Sequence, residues 1–266
     1  MIRLIFIFLF ITSFSLAVEF NKYETIYKLG NFSKEKINWI LKKANSIKDR
    51  EKKIDYLSSR FLNVPYKRIK IENNKEDKEY LVVQLSGVDC LTYLEYVEAL
   101  SKSKNFDDFV KNLRYTRYRY GLVSYETRNH FFTDWIEYNH YKDYAKILAP
   151  KKAIVVKKHL NLSKGKGIIL KGVPVKIRVF SYIPSKSFDK DVISKLKTGD
   201  LVGAYAYGKK YDWLDVKHVG IIIKKGDKVY FRNASSLRKY NRVVDIPLED
   251  YLKRVKGLVI LRKVDK

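Results

Sequence analysis

Apolar residues recur along this chain with two periods, and the changes of period mark its elements. From Ser33 to Phe61 the spacing is helical. Ile37, Ile40, Leu41, Ala44 and Ile47 form one stripe, and Ile54, Leu57 and Phe61 form another. Ser33 stands where the first helix needs an N-cap. Asn63-Val64-Pro65-Tyr66 closes the second, because the residue before a proline is pushed out of the helical region. Residues 67–78 are polar and read as a loop or hairpin. Tyr80 to Leu85 reads as a strand, Ser86-Gly87 breaks it, and Leu91, Leu94, Val97 and Leu100 return to helical spacing. Cys90 therefore falls on the first turn of a buried helix.

Phe106 to Leu113 reads as a short helix and Arg128 to Asn139 as a second. Between residues 105 and 150 the chain is crowded with aromatics, from Tyr115 through Trp135 to Tyr144, interleaved with Arg114, Arg117, Arg119 and Arg128. Two readings stand side by side: a packed core, or a groove wall that stacks on sugar or peptide. Further on, Val173, Val175, Ile177 and Val179 alternate weakly and imply strands. Lys197-Thr198-Gly199-Asp200 is a turn, Leu201 to Ala206 a strand, and Lys217 to Ile223 and Lys228 to Ser236 two more around a turn at Lys225-Gly226-Asp227. With Gly226 and Asp227 as the central turn residues, His218 faces Ser235 and Gly220 faces Asn233. His218 and Asn233 then project from one sheet face as diagonal neighbours, about 7–8 Å apart at the backbone. The expected fold is α+β: an antiparallel sheet packed against the helix that starts at Cys90. A helical region spans 18–84, and the core spans 85–266 with an insertion at about 105–150.

The N-terminus changes the setting. Met1-Ile2-Arg3, an apolar run from Leu4 to Phe10, and small residues Ser15 and Ala17 make a secretory signal peptide over residues 1–17. The protein is expected outside the cytoplasm, periplasmic or extracellular and associated with the cell wall, as a monomer without a stable membrane anchor. A single cysteine among 266 residues cannot close an intramolecular disulfide, so the fold must rest on its core. The net charge of +26, from 55 basic and 29 acidic residues, is spread along the whole chain. For an exported protein it points to anionic wall polymers or carboxylate-rich wall peptides, and no nucleic-acid motif is present.

A lone cysteine is most simply a small buried residue. Its place at a helix N-terminus gives it another use. Free N–H groups and the helix dipole there favour a thiolate and can hold an oxyanion beside the sulfur. A thiol nucleophile needs an imidazole base and a polar group to orient that ring. His218 with Asn233 meets both needs, and His130 is the competing base. His140 and His159 read as surface residues. His130 and Asp134, four residues apart, are too little for a metal site, so no metal or cofactor is expected.

At these residues the chain resembles the NlpC-type papain-like cell-wall hydrolases. The likeness rests on Phe61-Leu62-Asn63-Val64-Pro65-Tyr66, Asp89-Cys90, Lys197-Thr198-Gly199-Asp200-Leu201, His218-Val219-Gly220-Ile221 and Asn233-Ala234-Ser235, and it spans residues 55 to 262. It implies Cys90, His218 and Asn233 as the catalytic set. Tyr66 and Asp89 would shape the pocket beside the sulfur, and a loop donor near Ser86 would share the oxyanion. Arg128, His130, Asp134, Trp135 and Asn139 further resemble a branch with N-acetylmuramoyl-L-alanine amidase activity. The first four, with Ser235 on the third strand, become candidate contacts to a muropeptide. Asn63-Val64 replaces the usual Gly-Thr before Pro-Tyr. The Trp-Gly-Gly that often follows it in related endopeptidases is absent, which favours the amidase branch. The alternatives are a stem-peptide endopeptidase, acyl transfer by the same residues, and an inert wall-binding module.

Overall fold

The computed structural model describes residues 24–68 and 79–264. Residues 1–17, read above as a signal peptide, and most of the polar stretch after Tyr66 lie outside the described residues. In chain order come β1 (Thr25–Lys28), α1 (Lys34–Asn45), α2 (Arg50–Ser59), β2 (Leu81–Gln84), α3 (Cys90–Ser101) and α4 (Phe106–Arg117). The middle holds α5 (Asp134–Tyr138), β3 (Tyr141–Asp143), α6 (Ala145–Leu148), β4 (Ile154–Leu160), β5 (Leu162–Ser163), β6 (Gly167–Ile168) and β7 (Lys176–Pro184). The last run is α7 (Lys190–Ser194), β8 (Leu201–Tyr205), β9 (Val216–Lys225), β10 (Lys228–Ser235), β11 (Arg242–Pro247), α8 (Leu248–Leu252) and β12 (Gly257–Lys263).

The architecture is α+β, N-terminal helices followed by an antiparallel sheet of eight strands in the order β11-β10-β9-β8-β12-β7-β4, with β3 beside β12. Strands β1 and β2 form a separate parallel pair. Both faces of the main sheet are covered. Val219, Ile221, Ile223, Val259 and Leu261 face the core shared with α1 to α4, while Val202, Ile222, Phe231 and Ile260 face α6, α7 and α8. Continuous apolar runs such as Val219 to Ile223 are what a strand buried on both sides requires.

Helix α3 is the hub. Leu94, Val97 and Leu100 are buried as expected, and so are Tyr93, Tyr96, Glu95 and Glu98 on its other faces. The two buried carboxylates are neutralised locally. Glu95 takes Arg117 at 2.7 Å, and Glu98 takes Lys102 at 2.7 Å together with Lys263 and the Tyr141 hydroxyl. A buried charge is tolerated only in such company. Ser33 caps α1, accepting from the Lys36 N–H at 3.1 Å. Arg232, wholly buried, bonds Asp245, Asp55 and Ser58, and so ties β10 to β11 and to α2.

The expected helix over residues 128–139 is only Asp134–Tyr138. Arg128 is bridged antiparallel to Tyr118, and the Asn129 N–H donates to the Arg117 carbonyl at 2.9 Å, so the chain is extended there. The helix read as ending at Leu113 runs on to Arg117, where Leu113, Thr116 and Arg117 are still buried.

Candidate active site

The chain reaches Cys90 through a strap. The Val88 N–H donates to the Pro65 carbonyl at 3.0 Å and the Lys67 N–H to the Val88 carbonyl at 3.0 Å, a parallel bridge that pairs Tyr66 with Val88. On their other side Asn63 and Tyr66 donate to the Val243 and Asn241 carbonyls, each at 3.0 Å. Residues 63–66 are thus laid between β11 and the approach to α3. Gly87 leaves room for the Lys67 side chain, which lies 2.4 Å from where a Cβ would stand.

Asp89 is the N-cap of α3. Its carboxylate accepts from the Thr92 N–H at 2.9 Å and from the Thr92 hydroxyl at 2.8 Å, while the Asp89 N–H donates to Thr92 Oγ1 at 3.0 Å. This reciprocal capping box makes Cys90 the first helical residue. Cys90 is half-buried as a residue. Burial and the adjacent Asp89 charge push its thiol up to about 12, against the pull of the backbone N–H groups of Val219, Leu91 and Cys90 itself. The helix terminus acts on the sulfur in the expected direction, yet desolvation outweighs it and the resting sulfur is a thiol.

The Val219 N–H that meets this sulfur belongs to the residue next to His218. Gly203 pairs with Val219 and Tyr205 with Val216, so β9 carries one extra residue around Lys217 and His218. Such a bulge re-aims a side chain at a strand end. The β9–β10 register is the one read from the turn, with Lys225 opposite Lys228 and Ile221 opposite Arg232. His218 Nε2 lies 2.9 Å from Asn233 Oδ1, and Asn233 Nδ2 donates to the Phe231 carbonyl at 3.2 Å. With Oδ1 the acceptor, Nε2 carries the proton and Nδ1 keeps a lone pair. Burial lowers His218 below the ordinary imidazole value, opposed by the Asn233 hydrogen bond and by Asp89. Both groups therefore rest neutral, a thiol at Cys90 and an imidazole at His218, with the sulfur meeting the N–H of the residue next to that ring.

Residues 56–258 match the family described as AmiA-like, N-acetylmuramoyl-L-alanine amidase-like. The chain belongs to this family. Its fold is shared with protein LPG0564 of Legionella pneumophila strain Philadelphia 1, at a TM-score of 0.72 and 22% identity, over 87% of this chain and 94% of that one. It is shared also with an N-acetylmuramoyl-L-alanine amidase of Bacteroides uniformis ATCC 8492, at a TM-score of 0.65 and 24% identity, over 81% of this chain and 99% of that one. No curated protein matches the chain.

Other candidates of this amidase-like chain fall in different places. Tyr66 stands by the sulfur: its hydroxyl is raised by burial first, then by the charges of Cys90 and Asp89, and so stays a proton donor. The Ser86 N–H is taken by the Lys28 carbonyl at 3.1 Å, which leaves no backbone donor at Ser86 for an oxyanion. Ser235 is buried at the end of β10, where its hydroxyl accepts from the Leu237 N–H at 3.4 Å.

The insertion residues are corrected. Asp134 and Trp135 have no exposed surface. Asp134 is held by Lys176 at 2.7 Å and Arg178 at 2.9 Å, and Trp135 packs edge-on against Tyr141. Arg128 is buried in an ion pair with Glu79, its Nε 3.1 Å from the carboxylate, and bonds the Tyr118 hydroxyl at 3.2 Å. His130 Nε2 donates to the Tyr125 carbonyl at 2.7 Å, and burial lowers its pKa to about 4. Arg128, Asp134 and Trp135 are internal supports of the insertion, and His130 is half-buried at its side.

Sequence reasoning missed Tyr251. Its ring stacks on Phe231 at 4.0 Å and lies 6.5 Å from the His218 ring, and its hydroxyl is raised by burial and by Cys90. No periodicity links α8 to the hairpin, so nothing in the pattern marked it. Among the described residues no group of three or more His, Cys, Asp and Glu side chains comes together as a metal site would need.

Proposed function

We propose that this protein is an exported peptidoglycan amidase of papain-like, NlpC-type architecture that hydrolyses the amide between N-acetylmuramic acid and L-alanine of the stem peptide. The observation that carries this reading is the His218–Asn233 hydrogen bond on a strand whose next residue, Val219, turns its N–H to the sulfur of Cys90 at the start of α3, within the matched family span. His218 Nδ1 takes the Cys90 proton as the sulfur attacks the lactyl carbonyl. The N–H groups of Cys90 and Leu91 and the Tyr66 hydroxyl hold the oxyanion. The imidazolium then protonates the alanine nitrogen, the C–N bond breaks, and a thioester remains on Cys90. His218 next takes a proton from water, hydroxide adds to the thioester, and the thiol leaves with the proton returned.

Export follows from the signal-like residues 1–17, and the net charge of +26 suits the carboxylate-rich wall. One observation favours a second reading, a stem-peptide endopeptidase. Arg128, Asp134 and Trp135 are packed inside and cannot themselves wall in a sugar beside Cys90. Mass spectrometry of digested muropeptides separates the two. Release of an intact stem peptide with free disaccharide is the amidase outcome, and a dipeptide left on the sugar refutes it. Loss of all products in Cys90→Ala checks the nucleophile, and an unaffected variant would remove Cys90 from the mechanism.

A further inference from the structure

From Tyr144 to Phe188 the chain has no Asp or Glu and eleven Lys or Arg. This stretch builds the β4–β7 hairpin, and β4 is the terminal strand of the main sheet. Along the hairpin Lys157 pairs with Val179 and His159 with Ile177, so these four share one face with Val155. That face is open: Ile177 is 61% and Val179 59% exposed, and Val155, Lys157 and His159 are exposed too. The opposite face turns inward over most of its length, with Leu160, Phe180 and Tyr182 buried and Arg178 paired to Asp134. The connection between the strands continues the pattern. Leu162 and Ile168 pair with each other and are exposed, flanked by exposed Lys164 and Lys166.

We propose that this hairpin face docks the protein reversibly on an anionic lipid bilayer. Lysines alone would serve any polyanion. Exposed branched aliphatics beside them gain only where apolar surface is offered next to negative charge, which is the boundary of headgroups and acyl chains. The lysines also keep the open edge of β4 from pairing with another strand. Strands β7, β12 and β8 separate β4 from β9, about 20 Å of sheet. Docking therefore leaves Cys90 and His218 free, and the inference does not rest on the proposed reaction.

The test uses the exported protein with vesicles of phosphatidylcholine alone or mixed with phosphatidylglycerol. Ile177→Trp should show a blue-shifted emission that brominated phosphatidylglycerol quenches. Both Ile177→Ser/Val179→Ser and Lys157→Glu/Lys166→Glu should weaken partition by at least about tenfold. Lys42→Glu/Lys48→Glu, on the N-terminal helical side, should weaken it less, and turnover of soluble muropeptide should stay unchanged in every variant. Binding that survives the serine pair while the glutamate pair abolishes it would overturn the proposal in favour of a soluble polyanion. Absence of vesicle binding, or emission from Ile177→Trp that the brominated lipid leaves unquenched, would overturn it as well. Loss of muropeptide turnover in wild type bears on the amidase reading alone.

Discussion

His218 Nε2 donates to Asn233 Oδ1 across 2.9 Å, and the far end of the Asn233 amide is anchored on the Phe231 carbonyl. The second bond fixes which end of the amide meets the ring, and the first fixes the tautomer. In the proposed reaction Asn233 would thus aim Nδ1 without taking part in bond making. Asn233→Ala should lower kcat/KM by roughly 10- to 100-fold, a part of the ~10²–10⁴ that a positioned acid–base group contributes. Cys90→Ala and His218→Ala should abolish turnover. A folded Asn233→Ala as dead as Cys90→Ala would show that orientation is too small a role.

The neutral resting dyad has a kinetic signature. Burial and Asp89 push the Cys90 thiol up to about 12, and burial lowers His218. Alkylation of Cys90 by iodoacetamide should climb with pH through the alkaline range with no plateau near neutrality. Turnover should keep its acid limb below the ordinary imidazole value, because His218 stays an unprotonated base further down. A plateau of alkylation spanning neutral pH would mean a preformed thiolate–imidazolium pair and would refute this account.

Tyr251 supplies the apolar wall of His218 through its stack on Phe231. Tyr251→Phe keeps that wall and should turn over like wild type. Tyr251→Ala opens the ring to water, which relieves desolvation and raises the His218 pKa. Its acid limb of kcat/KM should move upward, a readout that simple loss of packing would not shift. An unmoved acid limb in a folded Tyr251→Ala would leave Tyr251 only a structural role.

Local signals carried most of this fold. The Ile37 to Ala44 stripe, the Ser33 cap, the start of α3 and the Gly226 turn each involve residues within a few positions of one another, where period and capping chemistry act directly. The His218–Asn233 contact was legible for that reason, since a tight turn propagates its register along two strands. The insertion was not. Arg128 and Asp134 have the chemistry of ligand contacts, and only the long-range partners Glu79, Lys176 and Arg178 reveal that they are internal. Tyr251 and the Ser86–Lys28 bond depend on chain meetings that no period encodes. The thiol's state was missed because desolvation is a property of the packed protein.

His130 links this packing to acid stability. Its Nε2–H is held by the Tyr125 carbonyl and its ring stands edge-on to Tyr125 at 4.8 Å, in a site where burial lowers the pKa to about 4 from 6.5. The unfolded chain takes up this proton near 6.5, while the folded protein refuses it until about 4. Stability from the neutral ring is therefore whole above about pH 6.5 and drains as pH falls through that window. The loss is about 3 kcal/mol at its end, and about 2 kcal/mol is gone by about pH 5. His218, lowered in the same sense, adds to the trend. His130→Gln keeps an amide donor for the Tyr125 carbonyl but carries no titrating ring. Between urea midpoints at about pH 7 and about pH 5, the fall should be larger for wild type than for His130→Gln. Equal falls in the two proteins would mean that His130 is already protonated in the folded state at the lower pH and that its burial costs nothing in acid.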